Sequence, residues 1–290
     1  MTTIAEPRHC QAVVNGVRLH YVEAGEGPLV ILLHGFPEFW YSWRHQIPAL
    51  AAVGFRVIAP DMRGYNLSER PRGVHAYRME ALTADVAELI RHAGASRATV
   101  VGHDWGGLVA WQVPMHYPEV VERLIVLNAP HPGAARREIR TLAQLRKSWY
   151  VFFFQLPGMP EWSIRRGGFA GIAKILRTEP VRSGAFTAED IRFYQEAIAQ
   201  PGALNAALNY YRALFRRSWR EWSKPIPAIT IPTLVIWGEQ DPYLGLPLLQ
   251  GLEQWAPNVR VERVPDASHW IQVDAPEKVN RLMIDFLRAE

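Results

Sequence analysis

The 290-residue sequence lacks most of the features that mark specialised classes of protein. It holds one cysteine, Cys10, so no intramolecular disulfide can form and the chain suits a reducing compartment. No uncharged run approaches the roughly 20 residues needed to span a bilayer. Met1 to Gln11 has no apolar core of signal-peptide length, so we expect a cytoplasmic protein with no membrane partner. HExxH, a Cys/His cluster, an intact GxGxxG and a P-loop are all missing, leaving no motif for a metal, dinucleotide or nucleotide phosphate. There is no internal repeat and no low-complexity tract. Basic residues outnumber acidic ones only by 32 to 28. Their densest clusters, Arg136-Arg137-Glu138-Ile139-Arg140 and Arg212 to Arg220, are broken by apolar residues at helical spacing. They read as solvated helix faces, not as a nucleic-acid surface.

What the chain does have is apolar: 49% of its residues are hydrophobic, enough for a sizeable core. Val13 to Val22 reads as a hairpin turning at Asn15-Gly16, the strongest short hairpin signal. Pro28 to Leu33 is a continuous apolar run, as in a strand buried on both faces. Further strands are expected at Phe55 to Pro60, Ala98 to Val101, Val121 to Leu127, Pro232 to Trp237 and Val259 to Val264. Between them, Trp43 to Ala52, Arg78 to Ala93 and Pro276 to Arg288 read as helices. Leu82, Val86, Leu89 and Ile90 share one face of the second. Strands alternating with helices predict a parallel sheet covered on both faces, with its site at the carboxyl ends of the strands.

From about 131 to 227 the strand pattern stops. This segment is helical and crowded with aromatics, including Trp149, Tyr150, Phe154, Tyr211, Trp219 and Trp222. We expect a helical lid domain over residues 131–227, packed on a core of 1–130 and 228–290, with most of its aromatics in the lid core.

The chemistry centres on Gly102-His103-Asp104-Trp105-Gly106-Gly107. An apolar strand precedes it and a helix follows, the context of a nucleophile elbow. Backbone strain of on the order of 1–3 kcal/mol at such a turn requires small neighbours on both sides. The exposed residue is Asp104, and a carboxylate is already ionised at neutral pH, so its natural targets are strained or activated carbons. A glycine-rich turn with a capping Asp would also satisfy the hexapeptide. Asp104, Asp241 and His269 each follow a strand in the order nucleophile, acid, histidine. Asp266 competes with Asp241 for the acid role. His34 and His103 adjoin the site as structural partners of neighbouring loops.

These motifs resemble the α/β-hydrolase-fold epoxide hydrolases, of the soluble type without an extra N-terminal domain. The resemblance runs through HGFPEFW at 34–40, DMRGYNLSERP at 61–71, GHDWGG at 102–107 and LNAPHP at 127–132. It implies an α/β-hydrolase fold: a mostly parallel eight-stranded sheet with an inserted helical lid. Tyr150 and Tyr211 fall on the family's two lid-tyrosine motifs, with Tyr210 adjacent to the second. By resemblance, Asp104 opens an epoxide while Tyr150 and Tyr211 donate hydrogen bonds to its oxygen. His269, oriented by Asp241, then activates water against the resulting ester. Backbone N–H groups of Phe36 and Trp105 would form the oxyanion hole. Substrate contacts are expected from the side chains of Trp105, Phe36, Phe154, Trp149 and Trp270, around an apolar epoxide. No cofactor or metal is implied, the expected partners are the epoxide and water, and pairing of two chains into a homodimer stays open. A haloalkane-type dehalogenase shares the Asp elbow, and Trp149 beside Tyr150 would suit it. A non-catalytic ligand-binding member of the fold is the remaining alternative.

Overall fold

The structure, a computed structural model, describes residues 6–216 and 223–289. Trp219, Trp222 and the basic residues at 217 and 220 lie outside these described residues. The chain opens with β1 (Arg8–Val14) and β2 (Val17–Ala24), antiparallel through an Asn15-Gly16 turn whose φ angles are 49° and 72°. Both turn residues are left-handed, as the two-residue hairpin turn that matches strand twist requires. Next come β3 (Leu29–Leu33), α1 (Gln46–Ala52), β4 (Arg56–Pro60), α2 (Met79–His92), β5 (Ala98–His103), α3 (Asp104–His116) and β6 (Val121–Leu127). Six further helices follow among the described residues: α4 (Pro132–Glu138), α5 (Leu142–Lys147), α6 (Trp149–Phe153), α7 (Met159–Thr178), α8 (Ala188–Ala199) and α9 (Ala203–Leu214). The chain returns to the sheet with β7 (Thr233–Gly238) and β8 (Val259–Val264), and closes with α10 (Pro276–Arg288).

The sheet has eight strands in the order β1-β2-β4-β3-β5-β6-β7-β8. β2 is antiparallel to both neighbours, and the other five pairings are parallel. Every residue of β3, β5 and β7 is buried, as expected when helices cover both faces. Val30 and Leu32 point to one face, against Ile47 and Leu50 of α1 and Met283 and Phe286 of α10. Ile31 and Leu33 point to the other, against Leu82, Val86 and Leu89 of α2 and Val109 and Val113 of α3.

Register sets the site. Leu33 pairs with Gly102, His103 with Leu127, Leu127 with Ile236 and Gly238 with Val264. The carboxyl ends of β3, β5, β6, β7 and β8 therefore lie side by side, and the segments leaving them meet along one edge.

Several expectations change. The helix expected over 43–52 is a short 3-10 turn at Trp40–Trp43 followed by α1. α3 starts at Asp104 itself, so the elbow has no linker to its helix. The basic clusters are not simply solvated. Arg137 donates to the carbonyls of Pro247 and Gln250, and Arg212 to those of Phe154 and Leu156 and to the Glu161 carboxylate. Their planar guanidinium forks tie chain segments together. Not all lid aromatics are core: Trp149, Phe152, Trp162 and Phe215 are exposed, whereas Tyr194, Tyr210 and Tyr211 are buried. No helix among the described residues is long and apolar enough to cross a membrane.

Candidate active site

Asp104 stands at the end of β5 with φ at 50°, a left-handed conformation that costs a non-glycine residue energy. The turn fits only because position 106 is glycine: a Cβ there would collide with the Leu33 carbonyl. The strain holds the carboxylate up from the sheet edge. One Asp104 oxygen, Oδ1, accepts from the Phe36 backbone N–H at 2.8 Å. The other faces His269 Nε2 at 3.6 Å.

His269 leaves β8 and puts Nδ1 2.7 Å from Asp241 Oδ2. Asp241, after β7, is saturated with donors: Tyr243 N–H at 2.7 Å, Leu244 N–H at 2.8 Å, Asn128 Nδ2 at 2.8 Å and His269. Asn128 is the residue after β6. Its other amide atom, Oδ1, accepts from Gly238 N–H at 2.8 Å, so it locks the β6 and β7 ends together. Asp266 is exposed and takes no part.

Electrostatics follow from this crowding. Burial alone would raise both carboxyl pKa values, but hydrogen bonding and charge from His269 outweigh it and hold Asp104 and Asp241 below the usual range. Burial alone would lower the His269 pKa. The Asp241 charge and hydrogen bond, with the Asp104 carboxylate facing Nε2, reverse that and hold it well above the ordinary imidazole value.

A second buried network sits beneath. His34 Nε2 accepts from the Met62 N–H at 2.9 Å and its Nδ1 donates to the Gly35 carbonyl at 2.9 Å. His103 Nε2 donates to the His269 carbonyl at 2.8 Å, while its Nδ1 lies 2.8 Å from Glu38 Oε2. Glu38 also accepts from Gly35 N–H and from Gln272. The backbone of His269 and the loop carrying Phe36 are thus fixed through one carboxylate.

Above Asp104 opens a cavity of about 280 Å³. Tyr150 of α6 and Tyr211 of α9 form its roof, their rings 6.0 Å apart and tilted 78°. Burial, then the Asp104 charge, pushes both phenols up from the ordinary value. The rest of the wall is chiefly apolar: Phe36, Phe154, Ile164, Ile172 and Ile175, with Trp270 beside His269.

Of the expected substrate contacts, Phe36, Phe154, Trp149 and Trp270 line this cavity and Trp105 does not. Because α3 begins at the elbow, the Trp105 side chain turns under α9. There it packs edge-on to Tyr211 at 4.8 Å and to Tyr210 at 5.4 Å. Tyr210 is likewise outside the cavity, donating its hydroxyl to the Arg63 carbonyl at 2.7 Å. Trp149 lies on the rim, 63% exposed. The sequence reading missed Asn128, Tyr243 and Glu179. Tyr243 was within reach, two residues after Asp241 and between Tyr150 and His269 in space. Nothing in the sequence signals Glu179. Among the described residues no group of His, Cys, Asp and Glu is arranged to hold a metal.

Comparison with known proteins gives the family. The family profile for the alpha/beta hydrolase fold matches residues 28–276. A Bacillus subtilis (strain 168) protein named AB hydrolase superfamily protein YfhM is 44% identical over 283 residues, covering 96% of this chain and 98% of that one. Mouse epoxide hydrolase 4 is 37% identical over 294 residues, covering 97% and 80%. A crystal structure of Bacillus megaterium epoxide hydrolase in complex with an inhibitor superposes with a TM-score of 0.90 at 37% identity, covering 97% of this chain and 100% of that one. With such similarity along almost its whole length, the chain belongs to the α/β-hydrolase fold family and, within it, to the epoxide hydrolases.

Proposed function

We propose that the protein hydrolyses apolar epoxides to vicinal diols through a covalent ester on Asp104, beneath a lid formed by residues 131–227. The observation that carries this reading is the pair of phenols, Tyr150 and Tyr211, roofing an apolar cavity directly above an unprotonated carboxylate. A strained ring bound there meets a nucleophile on carbon and two donors on oxygen. Asp104 Oδ2 attacks the carbon, the C–O bond breaks, and the alkoxide takes its proton from a tyrosine. The cavity volume lies near the lower end for small-molecule sites, about 300–1,000 Å³, which suits a compact substrate with one aryl or short alkyl group.

Ring opening also switches on the second step. In the resting site the Asp104 charge helps keep His269 protonated and the phenols weakly acidic. Ester formation consumes that charge, so the His269 pKa falls and its proton passes to the tyrosinate, which leaves the imidazole neutral and restores the phenol. Neutral His269, oriented by Asp241, then takes a proton from water, whose oxygen attacks the ester carbonyl. The oxyanion forms where Oδ1 already meets the Phe36 N–H, joined by the free Trp105 N–H of the first turn of α3. Collapse expels the glycol oxygen, which takes the His269 proton; the diol leaves, and the proton remaining on the Asp104 carboxyl group returns to His269 to restore the resting pair. A halide would be held by indole N–H groups; the Trp105 indole packs behind Tyr211, outside the cavity, and Trp149 lies mostly exposed on the rim, which weighs against the dehalogenase alternative.

The test is mass spectrometry of a His269→Gln variant mixed with styrene oxide and, separately, with 1-bromobutane. An adduct on Asp104 from the epoxide alone supports the reading. An adduct from the bromide alone moves the protein to dehalogenation, and no adduct from either, with folding intact, returns it to ligand binding.

A further inference from the structure

Glu179 caps the end of α7, in the helical insertion, yet both hydrogen bonds its carboxylate accepts come from the sheet side of the site. The Tyr243 hydroxyl donates to Oε1 at 2.6 Å and the Trp270 indole to Oε2 at 3.3 Å. These two side chains flank the general base: Tyr243 meets the His269 ring edge-on at 5.2 Å and Trp270 meets it edge-on at 5.3 Å. Tyr243 also stands 5.5 Å from Tyr150, so one ring touches both the acid and the base of the reaction. A single carboxylate therefore clamps both aromatic walls around His269.

We infer that Glu179 is a positioning residue for the hydrolytic half-reaction, holding the Tyr243 and Trp270 walls and supplying the charge that supports His269 once Asp104 is esterified. This rests on the ester mechanism above. The groups facing His269 are Asp104, Asp241, Tyr243 and the His103 ring at 4.8 Å, with Glu38 behind His103 and Lys147 bonded to the Asp241 carbonyl. Burial, helped by the Asp241 charge, holds the Glu179 pKa above the ordinary carboxyl value, while its two donors and the His269 charge pull it only partway back. An interaction between two titrating groups acts on both. When Asp104 becomes an ester, Asp241 and Glu179 are the acids left to stabilise the imidazolium formed as water is deprotonated. The phenol of Tyr243 is occupied by Glu179, so the cavity sees its ring, and proton donation to the epoxide stays with Tyr150 and Tyr211.

The experiment is single turnover with styrene oxide, following ester formation and ester decay separately as functions of pH. For Glu179→Gln, which keeps the shape and loses the charge, ester formation should stay within about twofold of wild type while decay slows about three- to tenfold. The acid limb of decay should move to lower pH, because His269 loses a supporting negative charge. Glu179→Asp should keep that limb near its original position. Equal slowing of both steps with an unmoved limb would reduce Glu179 to a packing residue and overturn the inference. If Glu179→Gln does not fold, Tyr243→Phe carries the test. It removes the donor and keeps the ring, and only decay should slow; unchanged decay, or equal slowing of both steps, overturns the inference. Failure of wild type to form any ester from styrene oxide would instead count against the epoxide reading. The Glu179 variants would then be compared on the ester formed from 1-bromobutane, which the same base must hydrolyse.

Discussion

Asn128 offers a quantitative test of how Asp241 and His269 are held. It is fully buried, donates through Nδ2 to Asp241 Oδ2 at 2.8 Å and to the Gly238 carbonyl at 3.2 Å, and accepts from Gly238 N–H at 2.8 Å. Asn128→Ala removes one hydrogen bond to a charge, about 1.5–3 kcal/mol, and orphans a buried N–H, a further 1–3 kcal/mol or so. The expected loss is about 3–5 kcal/mol, a large share of the roughly 5–15 kcal/mol typical of a folded domain. Urea unfolding followed by far-UV circular dichroism measures it, with an unchanged slope showing that the unfolded state is unaffected. There is a pH signature as well. The Asp241 pKa is depressed in the folded protein, so it adds stability above its unfolded pKa and that stability is lost as pH falls through the folded pKa. Asn128 supplies part of the depression, so acid unfolding of the variant should begin at higher pH. A loss below about 1 kcal/mol, or an unmoved acid transition, would refute the argument.

Other consequences are equally direct. Gly106→Ala drives a methyl into the Leu33 carbonyl, so it should cost at least about 3 kcal/mol or abolish soluble expression, read by thermal melting. Tyr150→Phe with Tyr211→Phe should cut ring opening by about 100-fold or more with an unchanged melting temperature, and near-normal epoxide turnover would disprove the assigned roles. Burial pushes His131 down to about 3, so it stays neutral folded and takes a proton unfolded. It therefore lowers stability as pH falls from about 6.5 toward 3, by about 1.4 kcal/mol per unit in the steep range. His131→Asn keeps an acceptor for the Gly133 N–H that His131 caps and should flatten that part of a stability-against-pH curve. Arg137→Ala frees the carbonyls of Pro247 and Gln250, and because the site is exposed the cost should be only about 1 kcal/mol by urea unfolding.

The sequence by itself determined whatever depends on neighbours in the chain. The Asn15-Gly16 turn, the wholly apolar β3, the largely apolar β7 and the glycine-flanked Asp104 each carry their instruction within a few residues. The order of Asp104, Asp241 and His269 after β5, β7 and β8 followed from the same local signals, once a parallel sheet was inferred. Tertiary structure decided what depends on register and on approach of distant segments. Asn128 is one more polar residue until β6 and β7 pair and bring its amide onto Asp241, 113 positions away. Trp105 reads as a substrate contact until α3 starts at the elbow and turns its indole behind Tyr211. Glu179 reads as a helix-end charge, because its two donors lie 64 and 91 residues downstream. Local strain and burial are written along the chain, whereas the electrostatic surroundings of His269 exist only after the strand ends and the helices between β6 and β7 converge on it.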